Sequence, residues 1–288
     1  MPTLHALYCY PIKSCAGIAL ERAQLLDTGL AYDRNWLLVD ADGTMLTQRT
    51  HPRMALIQTF LEKETLRIEA PGMPTLHTPL DAGVLTSPEI SATVWSDTML
   101  ALDTGADTAQ WFSRFFGMPA RLLRFAPTGR RVVDPNYTGE HVAHTQFADG
   151  YPLLVISQAS LDDLNARLAR KGVPPVSMLR FRPNLVIDGV DAYEEDYLES
   201  ILISAGQGQV ELRPVKPCSR CSIPSLDPDT GAPHPVWPDE PQITLETYRA
   251  SARFGGAVTF GNNAIVTEGA PAWLEVGQAA ETTLSFGE

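Results

Sequence analysis

The sequence predicts a mainly β protein with some α, an α+β chain, and three observations predict it. Across residues 4–102 short apolar runs of strand length alternate with Gly, Pro and Asp, without a sustained helical period. Only the later part of the chain carries segments with the spacing of an amphipathic helix. The length of 288 residues, at 44% hydrophobic content, supplies enough core for two domains or one large one.

The elements follow in chain order. Trp36-Leu37-Leu38-Val39 and Met45-Leu46-Thr47 flank Asp42-Gly43, the dipeptide that best supports a tight hairpin. Residues 56–61, Leu66-Arg67-Ile68 and Ala92-Thr93-Val94-Trp95 add strands at the intervals of an antiparallel barrel or sandwich. A helix is predicted over 108–116, with Asp107 as its N-cap, Trp111, Phe112 and Phe115 on its apolar face, and Gly117 as its stop. Residues 121–125 resume as a strand, and 127–148 read as a long polar loop, ordered only if it covers something. Leu153-Leu154-Val155-Ile156 is a buried strand. After it, Ser160-Leu161-Asp162-Asp163 reads as a capping box for a helix whose face is Leu161, Leu164 and Leu168, closed by Lys171-Gly172. Asn184-Leu185-Val186-Ile187 is the next strand. Residues 201–204 and 210–214, joined through Gly206-Gln207-Gly208, form a hairpin that leads into a cysteine-bearing loop. Residues 245–249 suit a short helix. Residues 258–266 form a strand broken at Gly261-Asn262-Asn263, which signals a bulge or the close approach of a ligand, and Trp273 begins the last strand.

Charge excludes whole classes of function. A formal net charge of −12 argues against non-specific nucleic-acid binding and against docking on an anionic membrane, since both need a basic surface. Any anion site must therefore be local. The four cysteines are unevenly spaced, unlike a secreted disulfide framework. The opening residues have no basic and apolar leader pattern, and no apolar run approaches the ~20 residues of a spanning helix, so a cytoplasmic location is expected.

The chemistry concentrates in Lys216-Pro217-Cys218-Ser219-Arg220-Cys221, followed by the turn sequence Asp227-Pro228-Asp229-Thr230-Gly231. A CxxC pair can serve one metal or one disulfide, and the Arg between the thiols favours thiolate, the reactive form. A structural zinc site needs about four ligands, and Cys9 and Cys15 have the wrong spacing for a second pair. A thioredoxin-like pair should open a helix, which Pro217, Pro224 and Pro228 disfavour. Two ordinary loop cysteines remain the bland alternative. Lys13, one of four lysines, leaves the first strand beside Ser14, a pairing that suits a phosphate or another anion and equally suits a solvated surface. Arg34, beside Asp33, could as well be half of an ion pair.

Taken together, Tyr10-Pro11-Ile12-Lys13-Ser14, Asp33-Arg34 with Trp36, Phe181-Arg182-Pro183-Asn184 and the Cys218-Ser219-Arg220-Cys221 segment resemble, in that order, the motifs of molybdenum-cofactor proteins with a MOSC domain. The nearest group contains the mitochondrial amidoxime-reducing component and bacterial YcbX-like proteins. The resemblance runs from Tyr10 to Val276. It implies a β-barrel-like N-terminal domain, residues 1–118, and a β-barrel MOSC domain, residues 119–288, with molybdenum cofactor in a basic cleft between them. It implies that Lys13, Ser14, Arg34, Arg182, Asn184, Ser219, Arg220 and Asn263 bind the cofactor. Cys221 would be the catalytic residue and the molybdenum ligand, which suits a soft thiolate. Cys218 is then structural, and Cys9 and Cys15 are packing residues.

The implied activity is reduction of small N-hydroxylated compounds, such as amidoximes, hydroxylamines and N-hydroxylated bases, by two electrons and two protons with loss of water. Those electrons would come from a separate electron-transfer protein and reductase, because the chain has no flavin or nicotinamide fingerprint and no iron–sulfur cysteine set. His141, His144 and Asp229 are candidate proton relays by residue type. The chain departs from the mitochondrial pattern at Gly150-Tyr151, where those proteins have Thr-Ser, and at Asn263, where they have Tyr. Two rival readings are a cofactor carrier or sulfur-transfer protein using the same cysteine, and a zinc-stabilised β module. Against the former, the pyridoxal-phosphate domain of the cofactor sulfurases has no counterpart here, so pyridoxal phosphate is not required.

Overall fold

A computed structural model describes residues 1–206 and 208–285; Gln207 of the expected Gly206-Gln207-Gly208 turn lies outside the described residues. The architecture is mainly β with some α, a β-barrel-like N-terminal part followed by a larger sheet that carries the helices. That sheet runs, strand by neighbouring strand, through Ile18–Leu20, Thr3–Cys9, Leu185–Asp188, Leu153–Ser157, Ala257–Glu268, Gly208–Ser219, Leu198–Ala205 and Ala280–Leu284, with Ala250–Ser251 attached at the side. A four-stranded sheet orders Trp36–Asp40, Ala120–Phe125, Asp97–Asp103 and Glu89–Val94, and Gln58–Leu61, Thr65–Glu69 and Leu76–Pro79 form another. Strands from either side of residue 118 thus share sheets. Thr3–Cys9 pairs with Leu185–Asp188, whereas Ala120–Phe125 pairs with Trp36–Asp40.

Burial on both faces explains the unbroken apolar runs. Leu153 and Val155 enter one core with Leu4, Leu25, Leu185 and Ile201. Leu154 and Ile156 enter the opposite core with Leu161, Leu164, Leu168, Phe181 and Phe260. The same alternation divides Trp36 and Leu38 from Leu37 and Val39 in the N-terminal sheet. Between Leu153–Ser157 and Leu185–Asp188, which pair in parallel, the helix Gln158–Arg170 makes the crossover such a pair requires.

Several boundaries differ from expectation for identifiable reasons. The helix expected from 108 spans Ala106–Phe116, and its cap is Gly105, not Asp107. The Asp103 carboxylate accepts the Gly105 N–H at 2.8 Å, fixing the turn two residues early and leaving Asp107 to complement the dipole from the first turn. The helix Gln158–Arg170 starts before the expected capping box at Ser160 and is capped by Ser157, whose Oγ accepts the Ser160 N–H at 3.1 Å. The reciprocal half of that cap comes from far along the chain: Glu195 accepts the Ser157 N–H at 3.2 Å and the Ser160 hydroxyl at 2.8 Å.

Trp36–Asp40 meets the segment after Asp42-Gly43 only through a Val39–Met45 bridge, and its strand partner is Ala120–Phe125. The run at 56–61 opens as the 3-10 turn Pro52–Leu56 before the strand Gln58–Leu61. The cysteine-bearing segment is half strand, since Gly208–Ser219 continues through Cys218. The strand begun near Trp273, Ala272–Glu275, is followed by another, Ala280–Leu284.

Gly261 does not break its strand. Ala257–Glu268 is continuous, with register shifts against Gly208–Ser219, and Gly261 adopts φ +74°. A Cβ there would lie 2.5 Å from Ile156 Cγ1 and 2.9 Å from the Val155 carbonyl oxygen, so the close approach is by the neighbouring strand. The short helix expected over 245–249 begins earlier, as Gln242–Arg249.

Gly261→Ala combines that clash with an unfavourable backbone conformation, and a loss of roughly 2–3 kcal/mol is expected in urea denaturation. An unchanged midpoint would show that the bulge relaxes freely. Glu195 gives a pH signature. Burial pushes its carboxyl up despite the hydrogen bonds from Ser160 and Ser157, so the folded state holds its proton to higher pH than the unfolded state does. Stability conferred through this group therefore falls as pH rises from the unfolded value near 4.5 through the raised folded value. The stability of the protein relative to Glu195→Gln should fall over that window; a pH-independent difference would contradict the assignment.

Candidate functional site: a basic cleft at Cys221

Chain segments distant in sequence converge on one cleft. Tyr10-Pro11-Ile12-Lys13-Ser14 leaves the strand Thr3–Cys9, Arg34 precedes Trp36–Asp40, Arg182 and Asn184 precede Leu185–Asp188, and Cys218-Ser219-Arg220-Cys221 ends Gly208–Ser219. All nine residues expected from the sequence, Lys13, Ser14, Arg34, Arg182, Asn184, Ser219, Arg220, Cys221 and Asn263, line this cleft of about 130 Å³. Backbone strain gathers there too. Of six non-glycine residues with positive φ, four border the cleft: Ser14 (+66°), Arg34 (+47°), Trp95 (+56°) and Arg182 (+59°). Such conformations persist where surrounding contacts over-determine them.

Arg34 is the hub. Its Nη1 donates to Asp33 Oδ2 at 2.6 Å and to Asn184 Oδ1 at 3.0 Å, and its Nη2 donates to the Arg182 carbonyl at 3.1 Å. Asp33 also accepts the Tyr10 N–H at 2.8 Å, while Asn184 accepts the Leu154 N–H at 3.2 Å and donates to the Tyr8 carbonyl at 3.2 Å. The guanidiniums of Arg34 and Arg182 each lie 4.3 Å from the centroid of the Tyr10 ring.

The charges are unevenly compensated. Burial lowers the pKa of Arg34, but the adjacent Asp33 carboxylate and Tyr10 outweigh it and hold the guanidinium's pKa above its ordinary value. Arg182 donates to the Cys15 carbonyl at 2.7 Å; burial, and then Arg34, push it down to about 10, and its Nη2 is buried with no partner among the described residues. Burial lowers Lys13, against which Asp149 acts at 2.5 Å. Desolvation by the cleft wall pushes the Asp149 carboxyl up, although 71% of the side chain is exposed, and Lys13 and the Trp95 indole N–H outweigh it and hold the group well below the usual carboxylate range.

Arg220, the Arg between the two thiols, places its Nη1 3.2 Å from Cys218 Sγ, and its Nη2 donates to the Phe181 carbonyl at 2.7 Å. The Arg220 Nε is buried and unpartnered. Asn263 donates to the Lys216 carbonyl at 3.1 Å from the adjacent strand. Cys9 and Cys15 are fully buried, and burial pushes both thiols up, as befits packing residues.

None of the three candidate proton relays lines the cleft. His141 lies 3.4 Å from Arg213, Asp229 borders a separate groove that shares only Arg182 with the cleft, and His144 borders another. The loop 127–148 does form part of the wall, through Ala148. Buried Arg131 fastens it, donating to the carbonyls of Gln146 (2.9 Å), Ala148 and Asp149 (3.0 Å) and to Asp97 Oδ2 at 2.8 Å. Sequence reasoning missed Asp149, Thr47, Arg49 and Trp95 as cleft residues. Only Trp95, an aromatic at a hairpin tip, carried a local signal.

The donor set suits an anionic cofactor with a soft metal. Lys13, Arg34, Arg182 and Arg220 face two carboxylates, Asp33 and Asp149, and two buried guanidinium nitrogens are orphaned. Among the described residues no three His, Cys, Asp or Glu side chains converge as metal ligands, so the zinc-module reading lacks its ligand set there.

The chain matches the MOSC N-terminal beta barrel domain over residues 1–119 and the MOSC domain over residues 143–281. It is 38% identical over 257 residues to mitochondrial amidoxime-reducing component 1 of Mus musculus, covering 86% of this chain and 71% of that protein. To mitochondrial amidoxime reducing component 2 of Bos taurus it is 34% identical over 261 residues, covering 86% and 72%. Molybdenum cofactor sulfurase of Bos taurus is 30% identical over 239 residues, covering 78% of this chain and 27% of that protein.

Asn184→Leu removes the acceptor for Arg34 and Leu154 N–H and the donor to Tyr8. A loss of roughly 3 kcal/mol is expected in chemical denaturation without added cofactor. A loss below about 1 kcal/mol would mean that Arg34 finds other support.

Proposed function

The chain belongs to the MOSC family, and from that membership we propose that it is an oxidoreductase that holds molybdenum cofactor through Cys221 and reduces N-hydroxylated compounds. The observation that carries the proposal is the convergence of nine residues on one cleft with an excess of cations over carboxylates. In this reading Lys13, Ser14, Arg34, Arg182, Asn184, Ser219, Arg220 and Asn263 hold the cofactor, and the Cys221 thiolate is the protein's ligand to molybdenum. When bound, the group would supply the two-electron redox chemistry that the reduction needs.

The protein's own part is positioning. Arg34 is fixed by Asp33 and Asn184 before any ligand arrives, so little is lost in ordering it. Arg182 and Arg220 bring unpartnered donors, which an anionic group would satisfy. Asp149, held ionised, can orient a donor on the ligand but has no proton to give near neutral pH. Tyr151 and Phe181 add aromatic walls. Electrons come from a separate electron-transfer protein and reductase. A cytoplasmic location belongs to the same reading, and the absence of nucleic acid or membrane as partner rests on the acidic charge. Among the described residues no helix is long and apolar enough to cross a membrane.

The likeness to a molybdenum cofactor sulfurase favours a second reading, a cofactor carrier or sulfur-transfer protein using Cys221. One experiment separates the two. Protein made in a host that synthesises the cofactor should contain molybdenum and pterin, and with reduced viologen under anaerobic conditions it should convert benzamidoxime to the amidine. Cys221→Ser should abolish turnover and metal retention. Cys218→Ser should keep much of both, because serine can still accept from Arg220. Alanine at Lys13, Arg34, Arg182 or Arg220 should lower cofactor occupancy. Intact cofactor with no reduction of any N-hydroxylated substrate would favour the carrier; an indispensable Cys218 with a dispensable Cys221 would overturn the ligand assignment.

A further inference from the structure

Arg49 and Trp95 stand at the mouth of the cleft and lie outside every motif that carries the family resemblance. Trp95 occupies the tip of the hairpin between Glu89–Val94 and Asp97–Asp103, is 44% exposed, and adopts φ +56°. Its indole Nε1 donates to Asp149 Oδ1 at 3.2 Å, which fixes the ring's orientation against the opposite wall. The guanidinium carbon of Arg49 lies 4.6 Å from the Trp95 ring centroid.

The cations of the cleft divide into two sets. Lys13 is 2.5 Å from Asp149 and Arg34 is 2.6 Å from Asp33, while Arg182 and Arg220 are tied to backbone carbonyls within the wall. Arg49 is exposed and makes no salt bridge with a described carboxylate. Since Lys13 compensates Asp149, Arg49 is the uncompensated charge at the mouth. Two other acids, Asp239 and Glu246, line a neighbouring groove that Arg49 also borders, where they disfavour an anion. In a chain of net charge −12, such a point is where an anionic molecule could approach. Stacking on the indole orients the planar guanidinium fork in advance, lowering the entropy lost when it grips a carboxylate or phosphate.

We propose that Arg49, preset on Trp95, is a specificity-determining residue that selects planar N-hydroxylated substrates bearing a carboxylate or phosphate. The guanidinium holds the anionic group at the mouth, and the N-hydroxylated end points inward toward Cys221. This rests on the reductase reading above, and the test separates the two.

The probes are benzamidoxime and 4-carboxybenzamidoxime, used with cofactor-loaded protein and reduced viologen, and in parallel by calorimetric binding without reductant. Arg49→Gln should lower kcat/KM for the carboxylated compound by roughly tenfold, mainly through KM, and weaken its calorimetric affinity by a similar factor. The effect on benzamidoxime should be several-fold smaller. Arg49→Lys should recover part of the loss, and the preference of the wild type should shrink as salt rises. Equal losses for the two compounds, or no loss for the carboxylated one, would overturn the inference while reduction of benzamidoxime left the reductase reading intact. Arg49-dependent binding of 4-carboxybenzamidoxime with reduction of neither compound would sustain the recognition site and overturn the reductase reading. Failure of the carboxylated compound to bind at all would overturn the inference.

Discussion

The Arg34 guanidinium is the constraint on which the rest of the site depends. It bonds its neighbour Asp33 and reaches 150 residues along the chain to Asn184 and 148 residues to the Arg182 carbonyl. Asn184 in turn grips Tyr8 and Leu154, so one hydrogen-bonded cluster joins the first strand, the segment before the N-terminal sheet and the parallel pair of the larger sheet. A buried guanidinium is costly unless its donors are met. That cost forces these segments into a single arrangement, and the cleft is the space they leave.

Strain and charge are disposed consistently with this constraint. The left-handed conformations of Ser14, Arg34, Arg182 and Trp95 turn side chains into the cleft where an extended backbone would direct them elsewhere. Positive charge is concentrated in a chain whose overall charge is negative, and it is withdrawn from bulk solvent by the Tyr10 ring and by backbone carbonyls. The loop that closes one wall carries only the short helix Pro135–Thr138 and a Val132–His144 bridge, and a buried arginine, Arg131, ties its end to the wall through the carbonyls of Gln146, Ala148 and Asp149.

The larger sheet shows the same use of distant groups for local needs. Glu195 completes the cap of the helix Gln158–Arg170 from outside it, and Asn262, beside Gly261, donates to the Glu195 carbonyl at 3.0 Å. Helix start, strand bulge and parallel pair are therefore coupled through one buried carboxylate and one close backbone approach.

What the sequence determined by itself lies in local pattern and residue chemistry. The alternation of apolar residues marked the strands, the aromatics at 111, 112 and 115 marked a helix face, and four short motifs pointed to eight residues that, with Asn263, do share a cleft. Tertiary structure decided whatever depends on partners far along the chain. Asp103 moved one helix start and Glu195 completed another. Folding placed the Arg220 guanidinium against Cys218 Sγ and brought Asp149, Arg49 and Trp95 to the cleft from segments with no shared motif. Hydrogen bonds and ion pairs act over a few ångströms in space, whereas periodicity and turn chemistry act over a few residues in sequence. Only the second kind of information is written locally in the chain.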